Sequence, residues 1–280
     1  MQHHVDLIIV SYNSNGRIFS CINSICQHTS YPYQLIVVDN NSSDGTANQL
    51  KKDKGLRLVA LNKNIGYAGG ANRGINAGNG DYIFILNQDI IVTHGWLEPL
   101  VQCLKSSPSI AVVGPKMITP DGRIASAGVV GTELNPKLRG FLEPDRPDRY
   151  NKVESCVSVL GACYGIKRSL LPVIGYFDES FFMYFEETDY SFRVRSLGYQ
   201  VVYCPLSCIY HDMRWEQRNH AASAEMFARS QEIFNRKWQN RLRSRTHSNA
   251  NHDWRGSRIS SKKNYSICKG CTYSVIVPEI

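Results

Sequence analysis

Long apolar runs are absent from the 280-residue sequence. The longest ones, such as residues 7–10 and 82–86, are far shorter than the roughly 18–20 residues that a membrane-spanning helix needs. The N-terminus also lacks the charged leader, apolar stretch and small-residue cleavage site of a secretory signal. We therefore expect a cytoplasmic chain, with any membrane contact limited to peripheral association on the inner face.

Acidic residues are scarce in the last quarter of the chain. Residues 1–213 carry 19 Lys and Arg against 19 Asp and Glu, whereas residues 214–280 carry 13 against 5. The whole formal net charge of +8 therefore lies after residue 213. This distribution indicates an anionic partner for the tail, which could be a lipid surface, a polyphosphate or nucleic acid. Of these we expect peripheral contact with a lipid surface and no nucleic acid. A simply solvated tail is the alternative.

Several signatures of other protein classes are missing as well. The nine cysteines are odd in number and scattered, which is typical of reduced thiols rather than of a disulfide framework. No GxGxxG follows the first apolar run and no Gly-Lys-Ser or Gly-Lys-Thr ends the Gly-rich segment 62–75. A dinucleotide-dependent dehydrogenase and a P-loop enzyme are therefore disfavoured. A nucleotidyltransferase is disfavoured because a basic Gly-rich loop is missing near the N-terminus.

What the first half does contain is an alternation of short β-rich runs and helical segments. This alternation predicts an α/β fold with a mainly parallel central sheet flanked by helices. Residues 16–28 are predicted as the first crossover helix, because apolar side chains recur there at 3.6-residue spacing. Further helices are expected to begin at 41 and 93. The predicted strands are 5–10, 34–38, 56–60, 82–86 and 111–115.

The second half has a less regular pattern. Residues 119–155 are rich in Gly, Pro and charge, which predicts a long loop or hairpin region. The polar, aperiodic residues from 244 onward predict a loosely ordered basic tail. Regular structure is expected at 157–166, in a helix over 186–196, in a strand over 199–203, in a terminal helix over 221–242 and in a late strand over 273–277.

Polar side chains follow the first two predicted strands. Ser11, Tyr12 and Asn13 come after the first strand, and Asp39 and Asn41 after the second. Ligands of parallel α/β sheets bind at the carboxyl ends of strands, and Asp39 is suited to accept a hydrogen bond from a base or a ribose. Helix caps and turns would explain the same residue types equally well.

The Gly-rich segment 62–75 is a second candidate ligand contact. It contains Asn64, Gly66 and Asn72 among several further glycines. Glycines allow a ligand to approach the backbone closely, and the amides of a helix N-terminus favour phosphate. A Gly-rich segment by itself is a weak indicator of such a contact.

An acid follows the apolar run 82–86 directly. Asp89 comes after Asn87 and Gln88, and a divalent metal that bridges a diphosphate needs such a hard oxygen ligand. The alternative is a turn aspartate that caps the next helix. His211 follows a later apolar stretch, and a lone histidine in that setting is more often structural.

Three carboxylates stand close together in the aromatic segment 175–195. They are Glu186, Glu187 and Asp189. Aromatic burial and like charge raise carboxylate pKa values, which is how a general base is tuned. On a helix, Glu186 and Asp189 share a face, whereas Glu187 does not. Pairing with Arg193 or helix capping is the alternative, and for Asp189 we favour pairing.

The order of these motifs strongly resembles that of the family 2 glycosyltransferases, in particular their bacterial rhamnosyltransferase-like branch. The resemblance covers about residues 4–215. It rests on the runs Ile9-Val-Ser-Tyr-Asn13, Val37-Val-Asp-Asn-Asn-Ser-Ser-Asp-Gly45, Asn64-Ile-Gly-Tyr-Ala-Gly-Gly70, Leu86-Asn-Gln-Asp89, Gly161-Ala-Cys163, Phe177-Asp-Glu179, Phe181-Phe-Met-Tyr-Phe-Glu-Glu-Thr-Asp189, Arg193 and His211.

The resemblance implies a GT-A fold over residues 1–243. A donor half would extend over about 1–118 and an acceptor half over about 119–243, and the basic tail 244–280 would follow. It also implies inversion at the anomeric carbon of a sugar taken from a nucleotide-diphosphate donor. By likeness to the branch, dTDP-rhamnose is the first expected donor and a UDP-hexose the second. The acceptor would be a hydroxyl of a glycan or lipid-linked molecule in cell-surface polysaccharide synthesis.

Carried over residue by residue, the resemblance implies a role for each candidate. Asp89 would ligate Mg²⁺ or Mn²⁺ on the donor diphosphate, and His211 would complete that metal site. The position of the general base is Glu187, although the family normally has Glu-Asp there, so Glu186 is the second candidate. The donor would be held by Ser11, Tyr12, Asn13, Asp39, Asn41, Asn64, Gly66, Asn72, Asn87, Gln88 and Asp89.

Two further departures from the family pattern lie in the metal motif. Asn87 replaces its first acid, and Gln88 stands where Pro is usual. Because the base position departs as well, a catalytically weakened nucleotide-sugar or glycan-binding module is the alternative function. Turnover of the donor would separate such a module from an enzyme.

Overall fold

The computed structural model describes residues 5–133, 135–211 and 220–248. Its strands are β1 (Val5–Ser11), β2 (Gln34–Asp39), β3 (Arg57–Ala60), β4 (Tyr82–Asn87), β5 (Ile90–Val92), β6 (Ile110–Ile118), β7 (Ile124–Ser126), β8 (Val129–Thr132), β9 (Asn135–Leu138), β10 (Glu154–Cys156), β11 (Cys163–Lys167) and β12 (Gln200–His211). Its helices are α1 (Arg17–His28), α2 (Thr46–Leu50), α3 (Gly66–Ala77), α4 (Leu97–Ser106), α5 (Pro147–Tyr150), α6 (Leu171–Ile174), α7 (Glu186–Ser196) and α8 (His220–Ser248), and a 3₁₀ turn at Arg168–Leu170 precedes α6.

One large mixed sheet organises the fold. Its strand order is β10-β12-β6-β11-β4-β1-β2-β3, with β5 and β7 paired onto β12 and β6. The pairs β1–β2, β1–β4, β2–β3 and β6–β12 are parallel, whereas β11 runs antiparallel between β4 and β6. The mainly parallel α/β sheet predicted from the sequence is therefore confirmed. β8 and β9 form a separate hairpin.

The central strands are buried on both faces of the sheet. Every residue of β1 is buried, and its alternate side chains belong to two different apolar clusters. Leu7 and Ile9 belong to one, and Ile8 and Val10 to the other. This arrangement explains why β1 is a continuous apolar run rather than an alternating one. The predicted apolar face of α1 is buried against the sheet as well, through Ile18, Cys21, Ile22 and Ile25.

The predicted element positions agree best where the apolar pattern is strong. β1, β2, β3 and β4 lie within one residue of prediction, and α7 has the predicted bounds. β1, β2 and β4 each extend by one residue, so that they include Ser11, Asp39 and Asn87. The polar residues expected after the strands are therefore their last members.

Several boundaries differ from prediction in the less regular regions. α2 begins at Thr46 rather than 41, and α4 begins at Leu97 rather than 93. Residues 119–155 contain the hairpin β8–β9, but also β7, α5 and β10. Strand structure in 157–166 begins only at Cys163, while β12 extends eight residues beyond the predicted end at 203.

The terminal helix is longer than predicted. α8 extends through residues 244–248, which the sequence assigns to the tail. Residues 249–280, including the predicted late strand over 273–277, lie outside the described residues. None of the helices in the described ranges is both long and apolar enough to cross a membrane.

Candidate active site

The carboxyl ends of β1, β2 and β4 bring the first set of polar residues together. In the sheet register Ser11 pairs with Asp39, and β4 ends beside β1 at Asn87. The Gln88 side-chain oxygen accepts hydrogen bonds from Ser11 Oγ at 2.9 Å and from Tyr12 N at 3.1 Å. Gln88 therefore fixes the turn after β4 against the end of β1.

Asp39 lies where the sequence predicts a nucleoside contact. Its Oδ2 accepts a hydrogen bond from Ser42 N at 3.0 Å. Its Oδ1 is buried and has no hydrogen-bond partner among the residues that the structure describes. An unpaired buried carboxylate oxygen is costly, so this atom is suited to accept a hydrogen bond from a ligand. Tyr12, which follows the β-sheet partner of Asp39, is 47% exposed and offers its ring for stacking.

Asn13 and Asn41 shape the two loops beside this position. Asn13 Oδ1 accepts a hydrogen bond from Ser43 N at 2.8 Å, which ties the loop after β1 to the loop after β2. Asn13 and Asn41 have positive φ angles of 43° and 66°, a conformation that Asn adopts more readily than most residues. Turn formation, the alternative explanation of these residue types, therefore accounts for both Asn13 and Asn41. Their contacts with the donor stay a prediction.

The start of α3 is held by a dense set of hydrogen bonds. Asn64 Oδ1 accepts from Gly66 N at 2.9 Å. Asn40, which the sequence did not indicate, accepts from Ile65 N and donates to Gly66 O, both at 2.9 Å. Gly66 has a φ of +81°, and a Cβ atom there would lie 2.4 Å from Phe182 O. Only glycine satisfies both the turn and this close approach.

The resemblance assigns Asn72 to the donor, but its side-chain amide is engaged elsewhere. Nδ2 donates to Phe177 O at 3.0 Å and to Glu179 Oε1 at 2.9 Å, and Oδ1 accepts from Phe177 N at 3.0 Å. The residue is only 4% exposed. Asn72 therefore ties α3 to the segment before α7, because both ends of its amide are satisfied within the protein. Its contact with the donor stays a prediction.

Asp89 and His211 come together because β5 and β12 pair in an antiparallel manner. The register places His211 opposite Ile90, and Asp89 directly precedes Ile90. His211 Nε2 lies 3.6 Å from Asp89 Oδ1, which is too long for a hydrogen bond. His211 is 2% exposed, and its Nδ1 has no hydrogen-bond partner within the described ranges. A buried imidazole and a carboxylate facing each other at this distance are suited to ligate one cation.

This pair fits a divalent metal that is shared with a ligand. Within the described part of the chain, no group of three or more His, Cys, Asp or Glu residues forms a metal site by itself. Carboxylate oxygens suit Mg²⁺ and Mn²⁺, and Mg²⁺ sites typically use one or two carboxylates together with phosphates and water. The remaining ligands would therefore come from a bound diphosphate.

Glu186 and Glu187 begin α7 directly after a strained turn. Tyr184 and Phe185 have φ angles of 71° and 69°, which is uncommon for bulky residues and recurs at functional sites. Glu186 is buried, and its Oε2 has no hydrogen-bond partner among the described residues. Burial, followed by the charge of Glu187, raises the pKa of Glu186 well above its usual range.

The segment around β11 positions Glu187. A Cβ atom at Gly161 would lie 3.3 Å from Glu187 Cγ, so the glutamate side chain packs directly on this glycine. The Tyr164 hydroxyl donates a hydrogen bond to Glu187 O at 3.3 Å. Both the backbone and the side chain of Glu187 are thus in contact with the segment that carries Gly161-Ala-Cys163.

Asp189 has the structural role that we favour from the sequence. Its Oδ2 accepts a hydrogen bond from Arg193 Nε at 3.0 Å, as predicted. Its Oδ1 accepts a hydrogen bond from Trp238 Nε1 at 2.8 Å, and Lys237 Nζ lies 2.8 Å away. Asp189 therefore anchors α8 to α7 and is not available as a base.

A cavity of about 460 Å³ is shared by His211 and the two carboxylates of Glu186 and Glu187. Asn87 and His211 line it on one side, and Glu186 and Glu187 line it on another. Tyr67 of α3 lines the same cavity. The structure therefore brings together residues that are more than a hundred positions apart in the sequence.

Helix α8 closes part of this cavity, which the sequence does not indicate. Phe227 of α8 lines the cavity, and its ring centroid lies 5.7 Å from that of Tyr184 and 5.0 Å from that of Phe185. Ser230 Oγ donates a hydrogen bond to Met183 O at 2.7 Å. Phe227 lies within the terminal helix predicted over 221–242, next to the apolar residue Met226, and this is the one signal that could have identified it.

Comparison with known proteins identifies the family. Residues 6–150 match the family model described as glycosyl transferase family 2, which is more than half of the chain. The chain is 26% identical over 229 residues to N-acetylglucosaminyl-diphospho-decaprenol L-rhamnosyltransferase of Mycobacterium tuberculosis, covering 73% of this chain and 75% of that protein. It is 25% identical over 231 residues to a low-salt glycan biosynthesis hexosyltransferase of Haloferax volcanii, covering 81% of this chain and 73% of that protein.

Solved structures show the same fold. GalNAc-T7 with UDP, GalNAc and Mn²⁺ superposes with a TM-score of 0.63 at 15% identity, over 75% of this chain and 44% of that chain. A Pyrobaculum calidifontis mannosyltransferase with GDP-Man and Mn²⁺ superposes with a TM-score of 0.57 at 19% identity, over 78% and 61%. The chain thus spans less than two thirds of either solved chain. The expected GT-A fold is confirmed, and by its match to the family model the chain belongs to glycosyltransferase family 2.

Proposed function

We propose that this glycosyltransferase is metal-dependent and inverting. It transfers a sugar from a nucleoside-diphosphate donor, with dTDP-rhamnose first and a UDP-hexose second, to a hydroxyl of a glycan or lipid-linked acceptor. The observation that carries the proposal is the cavity that His211 lines together with Glu186 and Glu187, with Asp89 Oδ1 lying 3.6 Å from His211 Nε2. An acid–base group and a diphosphate-binding site within one cavity are what in-line displacement at an anomeric carbon requires.

The relatives support the choice of substrates. The Mycobacterium tuberculosis relative is named as a rhamnosyltransferase acting on a diphospho-decaprenol, and two solved neighbours hold UDP or GDP-Man together with Mn²⁺. The first similarity supports rhamnose as the transferred sugar and a lipid-linked acceptor in the proposal. Mg²⁺ or Mn²⁺ follows from the second, together with the facing Asp89 and His211 side chains.

The donor is held at the strand ends in this proposal. The buried Asp39 Oδ1 accepts a hydrogen bond from the nucleoside, and the exposed Tyr12 ring stacks on it. Asp89 and His211 hold the cation, which when bound supplies Lewis-acid stabilisation of the leaving diphosphate. Gln88 positions Asp89 by bonding to the end of β1.

Glu187 is the general base in this proposal. It is more exposed than Glu186, lines the cavity and is held against Gly161. Glu187 takes the proton of the acceptor hydroxyl while that oxygen bonds to the anomeric carbon and the bond to the diphosphate breaks on the opposite face. Burial, followed by the charge of Glu187, raises the pKa of Glu186 well above its usual range, which favours the protonated form of this neighbour.

The metal and donor sites are tested by thermal shift with dTDP, UDP and GDP, each with and without Mn²⁺. One of the three nucleotides is expected to raise the melting temperature in a Mn²⁺-dependent manner, because a ligand that binds only the folded state stabilises it. Asp89→Ala is expected to abolish the Mn²⁺ dependence, whereas the control Asp148→Ala, at an exposed acid of α5, is not. Absence of any shift would refute the donor site, and an unchanged Asp89→Ala response would refute the metal assignment.

A weakened binding module is the second candidate function. It is favoured by one observation, the Glu-Glu sequence at a position where the family normally has Glu-Asp. Release of dTDP or UDP from dTDP-rhamnose or a UDP-hexose separates the two candidates. Metal-dependent nucleotide binding without release of the nucleoside diphosphate would favour the module.

A further inference from the structure

Tyr67 stands inside the catalytic cavity but has no part in the mechanism above. It is the second residue of α3, and it lines the cavity together with Asn87, His211 and the two glutamates. Its hydroxyl donates a hydrogen bond of 3.3 Å to Gly161 O. This distance is longer than that of a usual O–H···O bond, so the hydroxyl can exchange this partner at little cost.

The Tyr67 hydroxyl lies within electrostatic reach of both ends of the site. Burial, followed by the charges of Glu186, Glu187 and Asp89, raises its pKa well above the ordinary value for tyrosine. The phenol therefore keeps its proton and can both donate and accept a hydrogen bond. Glu187 marks the side from which the acceptor attacks, and Asp89 marks the side of the leaving diphosphate. Because Tyr67 lines the same cavity as His211 and Glu187, its hydroxyl is accessible to a sugar bound in that cavity.

The backbone of Tyr67 is fixed, so its side chain can position a ligand. Tyr67 N donates a hydrogen bond of 2.6 Å to Phe182 O. The preceding Gly66 is held by Asn64 and Asn40. A polar group on a rigid element discriminates between ligands better than one on a loop. The same contacts also fix the distance between α3 and the turn that carries the carboxylates.

We propose that the Tyr67 hydroxyl hydrogen-bonds a ring hydroxyl of the transferred sugar, which makes Tyr67 a specificity-determining residue for the donor. The inference rests on the proposed function, because it takes the sugar to lie between Glu187 and the diphosphate. The competing explanation is that the hydroxyl only braces the segment at Gly161. The two explanations differ in what the Tyr67→Phe variant loses, because a brace affects every ligand alike.

The test compares a nucleotide with its sugar conjugate. Dissociation constants of UDP, UDP-glucose, dTDP and dTDP-rhamnose are measured with Mn²⁺ by calorimetry on the full chain and on Tyr67→Phe. We expect the ratio of the sugar-nucleotide constant to the nucleotide constant to rise about 3- to 10-fold, as for loss of one hydrogen bond. The constant for the nucleotide itself is expected to change less than about twofold, because Tyr67→Phe keeps the ring and its packing.

Tyr203→Phe is the matched control. Tyr203 is a buried tyrosine of β12 whose hydroxyl donates a hydrogen bond of 2.9 Å to Tyr150 O, and it does not line the cavity. This variant therefore also loses one tyrosine hydroxyl bond inside the fold. Its ratio of dissociation constants is expected to equal that of the unaltered chain. Melting temperatures of both variants confirm that each one is folded.

Deoxy analogues of the donor identify the contacted hydroxyl. UDP-glucose analogues that lack the 2-, 3- or 4-hydroxyl are compared on the full chain and on Tyr67→Phe. One analogue is expected to bind the two proteins equally, because the partner of Tyr67 is already missing from it. The other analogues are expected to keep the 3- to 10-fold difference between the two proteins.

The outcomes separate the inference from the function on which it rests. Equal weakening of nucleotide and sugar nucleotide, or an unchanged ratio, overturns the role of Tyr67 and leaves the proposed function intact. Failure of the unaltered chain to bind any of the four ligands with Mn²⁺ overturns the proposed function, and the inference falls with it. A raised ratio confined to the sugar nucleotides supports both.

Discussion

Two adjacent glutamates, Glu186 and Glu187, have unlike surroundings in this protein. Glu186 is buried, and its Oε2 has no partner among the residues that the structure describes, whereas Glu187 is partly exposed and lies against Gly161. Burial and the like charge of Glu187 raise the pKa of Glu186, which favours the protonated form of the more buried carboxyl.

The buried acid makes stability depend on pH. The folded pKa of Glu186 is raised above its unfolded value near 4.5, so its contribution to stability is present below that value and is lost as the pH rises through the folded pKa. Glu186→Gln is expected to match the unaltered chain near pH 4.5 and to exceed it increasingly above, by at most about 1.4 kcal/mol per pH unit. Urea unfolding between pH 5 and 8, with the exposed Glu232→Gln as control, checks this. Parallel stability curves would contradict it.

Substitution of Glu187 tests the identity of the base. Glu187→Gln is expected to lower kcat by about 10²- to 10⁴-fold, the usual contribution of general base catalysis, and to leave the affinity for the nucleoside diphosphate unchanged. Glu187→Asp restores the residue that the family normally has and is expected to keep most of the activity. Steady-state release of nucleoside diphosphate measures both variants. Full activity of Glu187→Gln would transfer the role to Glu186.

At the level of elements, the two halves of the active site meet where α3 begins. Gly66 and Tyr67 contact the backbone of Phe182, three residues before Phe185, at which α7 is capped. The strained residues Tyr184 and Phe185 lie between these contacts and the glutamates Glu186 and Glu187. The distance between the start of α3 and the start of α7 is therefore set by backbone contacts rather than by flexible side chains.

Replacement of Gly66 tests this contact. Gly66→Ala adds a Cβ atom 2.4 Å from Phe182 O at a φ of +81°, and we expect it to cost about 1–3 kcal/mol more than the φ strain alone. Gly122→Ala is the matched control, because Gly122 has a φ of +80° and nothing within 4 Å of an added Cβ. Urea unfolding of both variants gives the difference. Equal destabilisation would show that the contact contributes nothing.

The long buried strands of this protein can be predicted from the sequence alone, whereas the short strand β5 cannot. The apolar pattern predicts β1, β2 and β4 with their polar ends, since burial on both faces dominates there. It misses β5, which has only three residues and forms by pairing with β12. The pairing of β5 with β12 places His211 beside Asp89. Because the local pattern does not predict this pairing, the proximity of Asp89 and His211 could be expected only from the family resemblance.

Single side chains limit sequence prediction for a different reason. Asn72 lies in the Gly-rich segment assigned to the donor, but its amide is satisfied by the backbone of Phe177, more than a hundred residues away. Gln88 stands where the family has proline and uses its side chain to bond Ser11. A hydrogen-bond partner that is distant in sequence leaves no local periodicity, so neither role could be predicted from spacing.

At the scale of the whole molecule, the site extends beyond the region that identifies the family. The family model matches residues 6–150, whereas Glu186, Glu187, His211 and α8 come later in the chain. α8 is anchored by its Lys237 and Trp238 side chains on the buried Asp189. The cavity is thus lined in part by residues that follow the segment matched by the family model.

The charge of the chain leads to the last prediction. Residues 249–280 carry five Lys and Arg against two Asp and Glu, and each basic residue near an anionic membrane contributes about 1 kcal/mol of binding. Deletion of these residues leaves α8 complete and is expected to weaken binding to phosphatidylglycerol vesicles about tenfold or more, without changing the nucleotide-induced thermal shift. Sedimentation with phosphatidylcholine vesicles, and at raised salt, controls for charge. Equal sedimentation of the full and the shortened chain with phosphatidylglycerol vesicles would show that the tail is only solvated. If the tail binds through its charge, the shortened chain must sediment less.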